Sequence, residues 1–298
     1  MGKSTPTHEP VLQCMDMIGG NHQDSYLVRS PALDVWVDSR PHGAEAGGDV
    51  HLMSVCGSGR VTRLVMADVA GHGEASQETA RLLRRLVREH INLLDQSRLV
   101  RRVNREFVQH TELGRFATVL FMSYFAPTGH LIVCNASHPR PLHWSARLGD
   151  WRPLDHLTPD TGPSIRTEKE TYGLRPVANL PLGLIEPTEY HQFDVHLEVG
   201  DLIVAYSDAF TDAENPGGRH LGEDGLLEMV RGLTPADPEP LGKDLLAALD
   251  RFRGGGAPQD DQTLLVARRT AAPPPRTGFR QLARMVGRML RQKREGDS

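Results

Sequence analysis

The hydrophobic pattern of the first seventy residues predicts strands that end in acidic residues. Residues 50–55 and 64–67 read as two strands joined by a glycine-containing turn at 57–59. Asp49 begins the first strand and Asp68 ends the second. Because the two strands of a hairpin run antiparallel, we expect both carboxylates at the same end of one sheet.

The period changes to that of a helix after Gly73. An apolar stripe with helical spacing predicts an amphipathic helix and consists of Leu82, Leu83, Leu86, Val87, Ile91 and Leu94. The opposite face carries a run of arginines: Arg81, Arg84, Arg85 and Arg88. This run has two interpretations, a solvated helix face, which is the commoner case, and a docking surface for a partner. A second helix is predicted to follow, with Ser97 as its N-cap.

The second half of the chain alternates predicted strands and helices. Strands are predicted at 117–125, 131–136, 193–199, 202–206 and 263–267, and helices at 221–233 and 241–252. Residues 145–180 are rich in Pro, Thr and Asp and predict surface loops or a flap.

Composition is that of a soluble globular protein. The chain has 298 residues, of which 39% are hydrophobic, and a net charge of −4, which gives no general nucleic-acid signal. The three cysteines (Cys14, Cys56 and Cys134) are widely separated and form no disulfide framework or CxxC motif, so we expect a cytoplasmic location. No apolar run is long enough to span a bilayer, and the start lacks the apolar core of a secretory signal.

The two ends of the chain differ from its middle. Residues 1–20 are expected to be a loose lead-in, and residues 270–278 a proline-rich linker. Residues 279–294 predict a basic amphipathic helix, and residues 271–298 contain seven Arg or Lys against two acids. Three interpretations stay open: a helix that folds back on the domain, one that lies on an anionic membrane surface, and one that binds an acidic partner.

Four acids mark strand boundaries: Asp49, Asp68, Asp208 and Asp260, with Asp261 beside the last. Clustered carboxylates repel one another unless cations neutralise them. Oxygen ligands without His or Cys favour Mg²⁺ or Mn²⁺, and two such ions can activate a water for attack on phosphorus. The residue types and positions therefore suggest a two-metal phosphoester hydrolase.

Five motifs in order resemble those of the SpoIIE-like serine phosphatases, members of the metal-dependent (PPM) protein phosphatase superfamily. The similarity covers about residues 21–269. Its motifs are Gly47-Gly48-Asp49, Asp68-Val69-Ala70-Gly71-His72-Gly73, Asn135-Ala136-Ser137-His138-Pro139, Gly200-Asp201 with Tyr206-Ser207-Asp208, and Asp260-Asp261-Gln262-Thr263.

The resemblance implies an α+β fold, a four-layer α-β-β-α sandwich with mainly antiparallel sheets and a site for two Mn²⁺ or Mg²⁺ ions at one edge. It implies that Asp68 contacts both ions and that the Val69 carbonyl is a further ligand. Asp208 and Asp260 would complete the shell of one ion, and Asp49 would serve the other. Asp68, Asp208 and Asp260 are thus the expected catalytic residues, with water rather than a protein side chain as the nucleophile.

The function implied is dephosphorylation of a serine on a regulatory protein, with a phosphorylated STAS-domain anti-sigma-factor antagonist as the expected substrate in a partner-switching pathway. Homodimerisation is a further option, and no nucleic-acid partner is expected. The alternative is a pseudophosphatase, a binding module that scaffolds a phosphoprotein. A metal-dependent nuclease is disfavoured because the basic residues lie in the helices and the tail rather than near the acids.

Four positions depart from or compete with the family pattern. Leu52 stands where a second acid is common, Ala209 replaces a glycine after Asp208, and Ser137 replaces the glycine of NAGHP. Ala209 is expected to crowd the loop of Asp208 if that position needs positive φ. Asp24 resembles an acid in the opening motif of other PPM phosphatases and is a rival for the role of Asp49.

Asn135 and His138 have two interpretations, orienting a phosphate or water, or shaping the turn before Pro139. The structural role is favoured because neither has an obvious chemical partner in the sequence.

Overall fold

The computed structural model describes residues 16–42, 45–56, 59–71, 73–93, 95–112, 114–155 and 179–273. The strands in this part are β1 (Met17–Ile18), β2 (Asp24–Ser30), β3 (Leu33–Arg40), β4 (Val50–Cys56), β5 (Val61–Val69), β6 (Ala117–Phe125), β7 (His130–Ala136), β8 (Leu142–Ser145), β9 (Asp150–Pro153), β10 (Gln192–His196), β11 (Leu202–Tyr206) and β12 (Gln262–Arg269). The helices are α1 (Glu74–His90), α2 (Gln96–His110), α3 (Gly222–Arg231) and α4 (Pro238–Phe252), with a short 3-10 helix at Asp208–Phe210.

The strands form two six-stranded sheets. The first has the order β1-β4-β5-β6-β7-β10 and the second the order β2-β3-β12-β11-β8-β9. All strand pairs within them are antiparallel. Val50 pairs with Ala67, so Asp49 and Asp68 lie at the same end of β4 and β5, as predicted.

Three buried apolar clusters define four layers. The central cluster joins the facing sides of the two sheets, with Leu64 from one and Ile203 from the other. A second cluster packs α1 and α2 on the first sheet, and a third packs α3 and α4 on the second sheet. The predicted α+β class and α-β-β-α sandwich are therefore confirmed.

Local sequence explains how the helices dock. Four members of the predicted stripe are buried, with Leu83 fully enclosed and Leu86 3% exposed, whereas Leu82 is partly buried and residue 94 lies outside the described residues. On α4, Gly242 lies directly against the ring of Trp36, and a β-carbon at this position would overlap that ring. Pro238 opens α4 at a position where the missing N–H costs no hydrogen bond.

Two predictions about local structure are wrong. Asp95 rather than Ser97 caps α2, because its Oδ1 accepts a hydrogen bond from the Arg98 N–H at 3.0 Å. The start of the predicted loop at 145–180 is part of the hairpin of β8 and β9, stabilised by Trp144 packing on Trp151 with ring centroids 5.7 Å apart. Residues 156–178 lie outside the described residues.

Within the described residues, the first and last paired strands mark the ends of the β-sheet region. Pairing begins at Met17, which lies opposite Ser54 within the segment predicted as a lead-in. At the other end β12 finishes at Arg269, and the predicted helix at 279–294 lies outside the described residues, as does most of the linker. Within the described ranges, no helix has the length and apolar character required to cross a membrane.

Candidate metal centre

The four predicted aspartates come from four separate segments that meet at one end of the two sheets. Asp49 and Asp68 flank the β4–β5 pair of the first sheet. In the second sheet Tyr206 pairs with Leu264, which places Asp208 and Asp260 just beyond the same end of β11 and β12. The antiparallel registers therefore bring together residues that are up to about two hundred positions apart.

Asp49 is the most deeply buried member, at 3% exposure. Burial, followed by the charge of Asp68, raises its pKa well above the ordinary value, although hydrogen bonding to the Thr263 hydroxyl opposes the shift. Its Oδ2 is buried without a hydrogen-bond partner among the described residues. A buried carboxylate oxygen in this state is costly unless a cation or a proton neutralises it.

Asp68 is the electrostatic centre of the cluster. Burial raises its pKa to about 7, with further contributions from the charges of Asp208, Asp260 and Asp261 and from a hydrogen bond with Asp208. Burial also raises the pKa of Asp208, and the charges of Asp212 and Asp260 add to the shift. The carboxylates thus hold a proton near neutral pH, which is how such a cluster relieves repulsion in the absence of a cation.

Asp260 and Asp261 have different surroundings although they are adjacent. The Asp260 side chain is exposed and accepts a hydrogen bond from the Asp261 N–H at 2.8 Å. Asp261 Oδ1 accepts from the His42 N–H at 2.6 Å, and its Oδ2 accepts from the Gly48 N–H at 2.5 Å. Both oxygens of the Asp261 carboxylate therefore accept hydrogen bonds from backbone N–H groups. These bonds hold the loop that carries Asp49 in position.

This loop needs its two glycines. A β-carbon at Gly47 would overlap the Asp261 carboxylate, and one at Gly48 would lie 3.0 Å from the Val69 carbonyl oxygen. Glycine at both positions lets the loop lie between Asp261 and the end of β5. Val69 itself is 1% exposed, and its carbonyl faces this loop rather than solvent.

The sequence gives no signal for two supporting contacts. The link from Asp261 to the Gly48 loop joins residues 213 positions apart. Arg253, at the end of α4, donates to the Ala209 carbonyl at 2.9 Å and to Gln262 Oε1 at 2.8 Å. Arg253 thus connects the turn that presents Asp208 with the start of β12.

The departures from the family pattern have structural explanations. Leu52 is 2% exposed and packs in the cluster under α1 and α2, away from the aspartates. Ala209 belongs to the 3-10 turn and does not have positive φ, so the expected crowding of the Asp208 loop is wrong. The left-handed conformation occurs instead at Ser137, with φ of 58°, where the family has glycine.

The rival Asp24 lies at the start of β2 and has an ion-pair contact with His22 at 3.9 Å. The charges that shift the pKa values of Asp49, Asp68 and Asp208 most strongly belong to other aspartates. The geometry therefore favours Asp49 over Asp24 for the site.

Asn135 and His138 stabilise the turn before Pro139, which is the structural role that the sequence favoured. The Asn135 side chain accepts from the His138 N–H at 2.8 Å and donates to the His138 carbonyl at 2.9 Å. The His138 ring is 4% exposed, and its Nδ1 lies 2.9 Å from the Thr118 hydroxyl.

A tighter group of ligand-type side chains lies elsewhere. Among the described residues, Glu89, His90 and Glu106 are the one set of three with ligand atoms all within 4.8 Å; no three of the aspartates converge so closely. His90 Nε2 lies 2.9 Å from Glu106 Oε1, and Arg102 also pairs with Glu106. These contacts account for the set as an ion-pair network between α1 and α2.

The aspartate cluster fits divalent cations. Its donors are carboxylate oxygens and one backbone carbonyl, which suit hard ions, and the unpartnered Oδ2 of Asp49 is a buried acceptor of the kind that an ion would satisfy. The wider spacing of the oxygens is compatible with two ions, since no single point must contact all of them.

A family model and a curated relative match this chain. The family model for Stage II sporulation protein E (SpoIIE) matches residues 58–270, more than half of the chain. Phosphoserine phosphatase RsbU of Bacillus subtilis (strain 168) is 23% identical over 192 residues, which are 63% of this chain and 49% of RsbU. The chain therefore spans about half the length of this relative.

Solved structures show the same fold. The RsbU and RsbW domains of Rv1364c from Mycobacterium tuberculosis align with a TM-score of 0.63 and 24% identity, over 88% of this chain and 64% of that one. The catalytic domain of serine threonine protein phosphatase PstP, in complex with 2 manganese ions, aligns with a TM-score of 0.52 and 15% identity, over 79% and 97% of the two chains. The chain belongs to the SpoIIE family and has the fold of the PPM phosphatases, as its motifs predicted.

Proposed function

We propose that this protein is a metal-dependent phosphatase that removes phosphate from phosphoserine or phosphothreonine in a regulatory protein. The observation that carries the proposal is the convergence of Asp49, Asp68 and Asp208, whose pKa values are all raised at one end of the sandwich. Such a site binds cations at neutral pH in exchange for protons. Membership of the SpoIIE family and the name of the relative RsbU support a phosphoserine substrate.

The proposed ligands are Asp49, Asp68, the Val69 carbonyl, Asp208 and Asp260. When bound, two Mg²⁺ or Mn²⁺ ions would supply positive charge for the phosphoryl oxygens and lower the pKa of a water molecule. Asp68 interacts electrostatically with Asp49, Asp208 and Asp260, which supports a role in which it would serve both ions. Asp49 is fixed by its loop, and the exposed Asp260 leaves one side of the cluster accessible to a phosphorylated side chain.

The proposed setting is a cytoplasmic partner-switching pathway, with a phosphorylated STAS-domain protein as the substrate. The relative RsbU and the neighbour that joins RsbU and RsbW domains support such a pathway. Cys134, a buried free thiol, is compatible with a reducing compartment. Homodimerisation and a contact of residues 279–294 with a membrane surface or an acidic partner remain proposals from the sequence.

The test compares the wild-type protein with Asp68→Asn on p-nitrophenyl phosphate in the presence of Mn²⁺. The substitution should lower kcat by about 10³-fold or more, because several kcal/mol of charge stabilisation depend on the bound ions. Asp34→Asn, on β3 away from the cluster, is the matched control and should retain activity. Circular dichroism and thermal unfolding should show that both variants fold.

Two results would contradict the proposal. One is hydrolysis by the wild-type protein that needs no Mn²⁺ and continues when a metal chelator is added. The other is Asp68→Asn activity within tenfold of wild type. Binding of a phospho-STAS protein without any turnover would instead support the pseudophosphatase alternative.

A further inference from the structure

A groove of about 610 Å³ runs along the outer face of α1. It is lined by Asn21, Arg81, Arg84, Arg85, Arg88 and Glu89. Four arginines against one glutamate give the lining a net charge of about +3. The arginine run on α1 therefore forms one wall of a groove. From the sequence alone, this run could be either a solvated helix face or a docking surface.

These four arginines form no ion pair or side-chain hydrogen bond with any described residue. The neighbouring helix shows the opposite case, because three of its arginines pair with carboxylates. The pairs on α2 are Arg101–Glu189 at 3.1 Å, Arg102–Glu106 at 3.5 Å and Arg105–Glu186 at 3.4 Å. The four arginines of α1 thus differ from these three of α2 in having no paired carboxylate within the part of the chain that the structure describes.

Two contacts connect the surroundings of the groove with the loop that carries Asp49. The far wall of the groove is Asn21, whose Nδ2 donates to the Gly47 carbonyl at 3.0 Å, while the Gly47 N–H donates to the Asn21 carbonyl at 2.7 Å. Gly47 belongs to the loop that carries Asp49. The first turn of α1 also meets this loop, since a β-carbon at Gly48 would lie 3.8 Å from Ser76 Cβ.

We propose that this groove binds an acidic segment of the phosphoprotein substrate while the phosphorylated side chain occupies the aspartate cluster. The proposal rests on the proposed phosphatase function, to which it adds a substrate class. The partner is a polypeptide with several Asp or Glu residues close to its phosphorylated residue. The arginines supply charge complementarity and steer such a segment toward the site.

The charges of the chain favour this occupant over its own tail. Residues 274–298 contain seven basic and two acidic residues, and the basic groove would repel them. A recessed groove on one helix also suits an extended peptide better than the flat surface of a membrane or the wide backbone of a duplex. The overall net charge of −4 further disfavours polyanions that must cover a large area.

Helix geometry sets the spacing that the substrate should have. With a rise of 1.5 Å per residue, Arg81 lies about 10 Å and Arg88 about 21 Å from the start of α1 at the site. An extended peptide advances about 3.3 Å per residue. Acidic residues roughly three to six positions from the phosphoserine would therefore reach the arginines.

The experiment measures binding of fluorescent phosphoserine peptides to the full chain by anisotropy. Two peptides carry aspartates three to six positions before or after the phosphoserine, and two matched peptides carry asparagines there. At least one acidic peptide should bind about tenfold more tightly than its neutral counterpart, and added salt should weaken this advantage. Arg81→Gln/Arg85→Gln should abolish it, whereas Arg98→Gln, exposed on α2 outside the groove, should keep it.

The outcomes separate this inference from the proposed function. Hydrolysis of p-nitrophenyl phosphate should be the same in wild type and both arginine variants, because the small substrate does not reach the groove. Equal affinity of the acidic and neutral peptides, or an advantage that survives the double substitution, would overturn the inference while leaving the phosphatase proposal intact. Tighter, groove-dependent binding of a DNA duplex or of anionic phosphatidylserine vesicles would also overturn it.

Discussion

Two Gly-Asp pairs in this chain have opposite surroundings. Asp201, after Gly200, is 2% exposed and accepts hydrogen bonds from the Ala146 and Glu198 N–H groups at 2.8 Å and from His143 Nε2 at 3.2 Å. Asp49, after Gly48, is 3% exposed, and its Oδ2 has no hydrogen-bond partner among the described residues. Burial raises both pKa values, but the hydrogen bonds at Asp201 lower its pKa below the ordinary value, whereas Asp68 raises that of Asp49 further.

The difference shows that burial alone does not identify a functional acid. Asp201 has its charge satisfied by its own turn and stabilises the corner between β8 and β11. Asp49 interacts with other carboxylates, so its charge is costly in the folded chain unless a proton or a cation neutralises it. Because of their neighbours, two identical dipeptides thus have a structural role at Asp201 and a proposed metal-binding role at Asp49.

The largest expected effect on stability comes from replacing Asp201, the structural acid of this comparison. Asp201→Ala should lower the free energy of unfolding by about 3 kcal/mol, because it leaves the His143 ring and two N–H groups buried without their acceptor. Urea unfolding measures this loss, and Asp201→Asn, which retains one acceptor oxygen, should lose less. Activity per folded molecule should match wild type; a large drop in kcat of the folded protein would place Asp201 in the chemistry instead.

A smaller effect is expected at Asp261, which positions the loop of Asp49 through backbone N–H groups. Asp261→Asn should weaken Mn²⁺ binding by about tenfold, the usual result of changing a group that orients a ligand. At saturating Mn²⁺, kcat should return close to wild type. If kcat instead stays about 10³-fold low at saturating metal, Asp261 contacts the reacting groups directly.

The smallest effect is a pH dependence of the metal-free protein. The pKa of Asp68 is about 7 in the folded chain against an ordinary value of 3.8, so the folded state binds this proton more tightly. The resulting stabilisation is complete below the ordinary value and is lost as the pH rises through about 7. Asp68→Asn removes this loss and should be more stable than wild type near pH 8, with the gap closing as the pH falls toward about 4.

The difference between the two proteins is the informative quantity. Burial lowers the pKa values of His51 and His138 to about 3, so these residues cost stability as the pH falls below 6.5. Both histidines are present in wild type and variant, and their contribution cancels. A gap that does not change with pH would contradict the assignment of this proton to Asp68.

How much the sequence reveals depends on the distance over which residues act. The hairpin of β4 and β5 places Asp49 beside Asp68 by local pairing, and this was predictable from strand patterns alone. Asp208 follows β11 and Asp260 precedes β12, and two helices separate these strands in the sequence, so only the family resemblance placed the two acids at the same end. The hydrogen bonds of Asp261 to the Gly48 loop depend on contact between the two sheets, which no local pattern encodes.

Local sequence patterns were also insufficient where they allowed two structural interpretations. Asp95 and Ser97 are both good N-caps, and only the hydrogen bond to the Arg98 N–H decides between them. The arginines of α1 have the pattern of a solvated helix face, and the groove that they line also includes Asn21, from a segment far away in the sequence.

The most direct test of the central claim, that the aspartates form a cation site, is calorimetric titration of the metal-free protein with Mn²⁺ near pH 7. We predict binding of two ions per chain with release of protons, visible as a heat that varies with the ionisation enthalpy of the buffer. Asp68→Asn should lose this binding, and Asp201→Asn should retain it. No Mn²⁺ uptake by the wild-type protein, or uptake that Asp68→Asn leaves unchanged, would contradict the account.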